Sequence, residues 1–173
     1  MLTTDQKGAI AEAAIALEAI KLGAGVFKPI TVERYDLIFD LRSALLRVQC
    51  KWATRRGDVI TIRCCSARRA REGFRKREYS AAEIDAFAGY CAELGRCYLV
   101  PLDGLSRRRE ISLRLAATLN HQRSKVNWAE DYEFAATLRR YGAIAQLGER
   151  ERGTLEVAGS SPAGSTKLKL LDP

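Results

Sequence analysis

The sequence predicts an α/β domain, and three observations point there. An alanine-rich amphipathic stretch opens the chain, four short runs of strand composition follow between residues 25 and 64, and a helix-then-strand pattern occupies residues 80–101. A chain of 173 residues fits one domain with a sizeable core.

Thr4 reads as the cap of a helix opening with Asp5, whose charge suits the positive end of the helix dipole. The helix is expected to run to about Leu22 and stop at Gly23. Its apolar residues include Ile10, Ala13, Ala14, Ala16, Leu17 and Ile20, small enough on average to pack closely on a sheet, and Glu12 lies among them. Gly25 to Ile30, Tyr35 to Leu41, Ala44 to Trp52 and Asp58 to Cys64 read as strands, with Pro29 near the end of the first and a turn near Arg42 and Ser43. Ser80 and Glu83 make a capping box for a second expected helix, with Ile84, Phe87, Ala88 and Cys91 on its apolar face and Gly95 at its end. Arg96 to Val100 reads as a strand closed by Pro101, and Ile111 to Leu115 alternates as a strand does. Trp128, Tyr132, Phe134 and Leu138 suggest a last helix that closes the domain or meets another subunit. After Tyr141 the composition turns to Gly, Ser and Pro, so residues 1–141 are expected to form the domain and 142–173 a peripheral or flexible tail.

The chemistry concentrates on the second and third strands. The second delivers Asp36. The third delivers Gln49 and Lys51, two apart and therefore on one face, while Val48 and Cys50 take the other. A carboxylate, a second oxygen donor and a lysine on a small sheet can hold a hard divalent cation and orient a water. The chain around them is basic, with 29 Lys plus Arg against 21 Asp plus Glu and a net charge of +8, which favours a polyanionic partner. Together these features suggest hydrolysis of a nucleic-acid backbone.

Other classes find less support. No run of eighteen apolar residues exists, so no membrane span is expected, and Met1 to Lys7 has no secretory pattern. The five cysteines, Cys50, Cys64, Cys65, Cys91 and Cys97, form no close C-x-x-C pair, and His121 is the single histidine. They read as small buried hydrophobes in a reducing compartment rather than as zinc ligands, which points to the cytoplasm. His121 reads as a surface or phosphate-contacting group, and Asp85 as structural.

Glu12 on the first helix, then Asp36, then Gln49-Cys50-Lys51, resemble the PD-(D/E)XK endonucleases. The match is to the small branch associated with group I introns, in which Gln replaces the usual second acidic residue; Tyr35 stands where the broad pattern has proline. The resemblance covers roughly residues 4–135. It implies a restriction-endonuclease-like core, with a mixed central β-sheet flanked by helices, and Mg2+-dependent cleavage of double-stranded DNA by a homing endonuclease. It implies Glu12, Asp36, Gln49 and Lys51 as the catalytic set, the first three holding the metal. Lys51 would orient or activate the attacking water and stabilise charge developing on the phosphate. Two strand cuts favour two symmetry-related sites, hence a homodimer or homotetramer. A DNA-junction resolvase or a repair nuclease is the alternative, and a non-catalytic nucleic-acid-binding protein a further one. The protein is expected in the cytoplasm, on the nucleoid when bound to DNA.

Trp52 to Glu78 carries nine Lys or Arg against three acids. Arg55, Arg56, Arg63, Arg68, Arg69, Arg71, Arg75, Lys76 and Arg77 are candidate DNA contacts there, with Arg68, Arg69 and Arg71 on an exposed connection or a hairpin arm. Arg114, Arg123 and Lys125 are further candidates, in and after the 111–115 segment. Residues 149–173 carry four positive and four negative charges, so the basic excess lies before them. This tail resembles peptide read from a transfer-RNA gene, which fits an endonuclease encoded in an intron there.

Overall fold

The computed structural model describes residues 1–70, 73–103, 109–117 and 124–153, and for 67–70, 74–76 and 144–153 the backbone alone. Helix α1 spans Thr4–Lys21. Its cap is Thr3 rather than the expected Thr4: Gln6 N donates to Thr3 Oγ1 at 3.2 Å and Thr3 N donates to Gln6 Oε1 at 2.9 Å, a complete capping box. Gly23, at φ +83°, ends the helix, and the N–H groups of Gly23 and Ala24 return to the carbonyls of Ile20 and Ala19 in a Schellman turn.

The buried face of α1 is narrower than expected. Ala11, Ile15 and Ala19, four apart, are at most 1% exposed, whereas Ile10, Leu17 and Ile20 are 38–57% exposed. Ala11 and Ala19 let the helix backbone lie close to the sheet beneath it, and the larger aliphatics are left outside that seam.

Among the described residues nine strands follow in chain order: β1 (Gly25–Phe27), β2 (Leu37–Asp40), β3 (Leu45–Arg56), β4 (Val59–Arg63), β5 (Cys65–Ala70), β6 (Gly73–Glu78), β7 (Ala86–Cys91), β8 (Arg96–Pro101) and β9 (Glu110–Arg114). Seven of them make one mixed sheet around β3. Residues 45–48 of β3 pair antiparallel with β2, residues 48–53 pair parallel with β7, and residues 54–56 pair antiparallel with β4. β1, β8 and β9 extend this frame antiparallel to β2, β7 and β4. The turn before β3 is where the sequence puts it: Arg42 adopts φ +69°, with its N–H on Asp40 Oδ1 at 2.7 Å. The mixed α/β architecture is thus the one expected, with somewhat different strand limits.

One element differs in kind. Residues 86–91, expected in a helix, are strand β7. The Ser80–Glu83 box does form: Glu83 Oε2 accepts from Ser80 N at 3.0 Å and from Ser80 Oγ at 3.3 Å. It closes a single turn, and the chain then extends. Lying between β3 and β8, β7 is covered on both faces, so Ala86, Phe87, Ala88 and Cys91 are all buried. A short apolar run of this kind satisfies helical and buried-strand patterns alike.

Two cores result. Against α1 pack Phe39, Val48, Cys50 and Leu99, joined by Phe134 and Leu138 of helix α2 (Phe134–Gly153). Phe39 and Phe134 meet edge to face at 5.9 Å. The other sheet face carries Ala53, Ile60, Ile62, Phe87, Val100, Ile111 and Leu113. There β4 crosses so close to β7 that Gly89 leaves no room for a side chain: a Cβ at that position would lie 2.6 Å from Ile62 Cδ1. A 3-10 turn, Ala129–Tyr132, leads into α2, which continues past residue 142 to Gly153. No helix among the described residues is long and apolar enough to cross a membrane.

β5 and β6 stand apart as a two-stranded antiparallel arm, in register from Cys65 opposite Glu78 to Ala70 opposite Gly73. This is the hairpin that the basic segment suggested.

Candidate active site

The site forms where β3 lacks a partner on one edge. β2 releases β3 at Val48 and β4 takes it up at Thr54; the residues between pair with β7 alone. The chain entering β2 fills this notch. Asp36 N donates to Val48 O at 2.9 Å, and Asp36 Oδ2 accepts from Cys50 N at 2.7 Å and from Gln49 Nε2. Gln49 is 8% exposed, and Lys51 is half-buried. Alternation along β3 sends Val48 and Cys50 into the α1 core, and Gln49 and Lys51 to the opposite face with Ala53.

Burial pushes the Asp36 carboxyl above the usual carboxylate range. The Cys50 N–H opposes this, the Glu12 charge adds to it, and the Lys51 and Lys28 ammonium groups pull the other way. Glu12, half-buried on α1, is therefore close enough to Asp36 for the two charges to interact. Its Oε2 accepts from Lys28 Nζ at 2.7 Å, and that hydrogen bond and charge raise the Lys28 pKa. Glu12, Asp36, Gln49 and Lys51 are thus brought together.

Lys28 was not read from the sequence. It follows β1 directly, sixteen residues from Glu12, and nothing local in its pattern distinguishes it from a solvated lysine. Its ammonium offsets the charge of both carboxylates.

The donor set fits a hard divalent cation. Two carboxylates act on one another through their charges, one of them made reluctant to ionise by burial, and a cation would relieve both effects. Gln49 turns its Nε2 to Asp36, and no donor among the described residues engages its Oε1, which leaves that oxygen for a metal. Glu12, Asp36 and Gln49 would hold it. Among the described residues no three His, Cys, Asp or Glu converge as a metal site; the set here has two carboxylates and the Gln49 amide. All five cysteines are free thiols, with Cys50, Cys64 and Cys91 buried.

A family model described as "PD-(D/E)XK endonuclease" matches residues 2–135. The chain belongs to the PD-(D/E)XK endonuclease family. It is a DNA endonuclease with that family's restriction-endonuclease-like fold. Among solved structures it is similar to a bacterial homing endonuclease, I-Ssp6803I, with 28% identity and a TM-score of 0.66, over 87% of this chain and 99% of that one. Among curated proteins none matches.

The basic candidates of this PD-(D/E)XK chain divide by location. Arg55 and Arg56 are exposed at the β3–β4 turn, where Arg55 Nε donates to Gly57 O at 2.8 Å, and Arg63 is exposed at the other end of β4, beside the root of the arm. Arg68 and Arg69 lie on β5 and Arg75 and Lys76 on β6, with Arg68 opposite Arg75. Arg77, exposed, donates to Glu83. Lys125 is exposed at φ +58°. Arg114 is less available: its Nε is buried, and the side chain lines a cavity of about 570 Å³ with Tyr98 and Trp128. Arg71, His121, Arg123 and the tail from 154 lie outside the described residues.

Asp85, read as structural, holds Arg47. Arg47 donates to it from Nη2 at 2.8 Å, Nε at 3.1 Å and the backbone N at 2.8 Å. Burial disfavours the Asp85 charge, but these bonds outweigh it and keep the carboxyl below the usual range. The pair ties the entry of β7 to β3.

Proposed function

We propose that this endonuclease cuts double-stranded DNA at a specific sequence with Mg2+, as an intron homing endonuclease. The observation that carries the reading is the convergence of Glu12, Asp36, Gln49 and Lys51 at the notch in β3, on a core with a basic two-stranded arm. When bound, the metal supplies Lewis-acid stabilisation of the phosphate and a more acidic water. The chain does the rest. Glu12 and Asp36 supply negative oxygens for the cation, and Gln49 supplies a neutral one. Lys51, whose charge acts on Asp36, is placed to orient or activate the attacking water and to stabilise charge on the phosphate. Lys28 holds Glu12 in place.

The arm suits duplex DNA in size, since a two-stranded β-ribbon fits the major groove. β5 and β6 carry Arg68, Arg69, Arg75, Lys76 and Arg77 for phosphate or base contacts. Each chain supplies one site, so cutting both strands calls for a homodimer or homotetramer.

The test uses a randomised duplex library. In Mg2+ the purified protein should select and cut one sequence, and chelator should abolish the cut. Undiminished cutting after chelation would remove the metal from the reading, and preference for four-way junctions would favour a resolvase. A second experiment addresses the arm. Neutralising Arg68, Arg69 and Arg75 together should weaken duplex binding and shallow the salt dependence by up to about 0.9 in log–log slope per lost phosphate contact. An unchanged slope in the folded variant would take the arm out of the interface.

A further inference from the structure

We infer that Tyr79 is a positioning residue for Lys51, held in place by Arg34 at the root of the basic arm. The inference rests on the reading of Lys51 as catalytic. Lys51 Nζ donates to Tyr79 Oη at 3.4 Å and lies 5.2 Å from the ring centroid. Lysine has four rotatable carbons and a compact charge, so a tyrosine beside its tip removes much of the freedom that would otherwise blur its aim. Tyr79 follows directly on β6, in the segment leading from the arm to β7.

The tyrosine is itself fixed from two sides. The Arg34 guanidinium carbon lies 3.8 Å from the ring centroid, and Phe87 meets the ring edge to face at 5.2 Å and 89°. Phe87 belongs to β7 and pairs with Gln49 in the ladder, so the ring is referenced to the strand beside the catalytic one. Arg34 in turn spans the root of the arm. It donates through Nη1 to Ser66 Oγ at 3.1 Å on β5, through Nη2 to Glu78 O at 3.0 Å on β6, and through Nε to Glu83 Oε1 at 3.1 Å. Burial works against the Glu83 charge, but its Ser80 bonds and the charges of Arg34 and Arg77 keep it ionised below the usual range. The same guanidinium therefore binds both strands of the DNA-facing arm and stacks on the tyrosine that touches Lys51. Arm and catalytic lysine share one joint, two residues upstream of Asp36.

The experiment compares Tyr79→Phe with the wild-type protein in single-turnover cleavage at saturating DNA, with DNA affinity in Ca2+ and thermal midpoint measured alongside. The expected result is a rate lowered about tenfold, with affinity unchanged within twofold and the midpoint unchanged within a few degrees. In a Lys51→Ala background the same substitution should leave the residual rate unchanged, because a group that acts through Lys51 has nothing left to position. A Tyr79→Phe protein that cuts at the wild-type rate overturns the inference. So does a loss of rate matched by an equal loss of affinity, or a further loss in the Lys51→Ala background, either of which assigns the hydroxyl to DNA or to another group. If Lys51→Ala itself cuts normally, the reading of Lys51 falls and this role with it. If Lys51→Ala is crippled and Tyr79→Phe is not, only the positioning role falls.

Discussion

Lys51→Ala is expected to lower the cleavage rate about 10²–10³-fold, the usual cost of removing one preorganised charge from a reacting centre. Lys51 stands on the β3 face that carries Gln49, its ammonium interacts with Asp36, and its tip lies against Tyr79. Lys28, whose charge also acts on Asp36, is engaged by Glu12. DNA affinity should change far less, because Arg55, Arg56, Arg63 and the arm remain. Cleavage rates and binding curves taken at one salt concentration separate the two effects. Near-normal cutting by the purified variant would end the proposed role of Lys51.

Gly89→Ala is expected to destabilise the fold by about 1–3 kcal/mol, as overpacking of a close-fitted core does. Its Cβ would lie 2.6 Å from Ile62 Cδ1 and 2.8 Å from Cγ1, and Ile62 is fully buried. Gly89 faces Lys51 across the parallel β3–β7 ladder, so strain here reaches the strand that carries Gln49 and Lys51 and should reduce cleavage as well. Ile62→Val deletes the nearest clashing atom, and the double variant should lose less stability than the two single changes summed. Thermal or denaturant unfolding measures this. A Gly89→Ala protein melting with the wild type would mean that β4 can move away from β7 at little cost.

The site was more legible in the sequence than its surroundings. Gln49 and Lys51 lie two apart on one strand, and alternation alone puts them on one face. Asp36 was read within the neighbouring strand, whereas β2 begins one residue later, at Leu37. What the sequence hid was mostly long-range. The Glu12–Lys28 pair joins a helix to the end of β1, and Arg34 reaches Ser66, Glu78 and Glu83 over 32 to 49 residues. The sequence reading of α1 took Ile10, Ala13, Ala14, Ala16, Leu17 and Ile20, whereas the face on the sheet is Ala11, Ile15 and Ala19; an alanine-rich helix with aliphatics all round does not mark which face is buried. Residues 86–91 were misread because Ala-Phe-Ala-Gly-Tyr-Cys, buried on both faces, shows no alternation to mark a strand. The capping box at Ser80 was real, but a cap commits only one turn; the ladder offered by β3 and β8 decided the rest.

The hydrogen bond from Cys50 N to Asp36 Oδ2 means that the aspartate stands in for a missing strand. Where β2 has left β3 and β4 has not yet arrived, its carboxylate supplies the acceptor that a neighbouring backbone would otherwise provide. The acid therefore cannot be altered without disturbing the scaffold: on the proposed reading a change at residue 36 is felt twice, once at the metal site and once in the sheet. Lys51 carries no such double duty. A catalytically silent form that preserves the architecture, suited to capturing the intact target, is best made at the lysine.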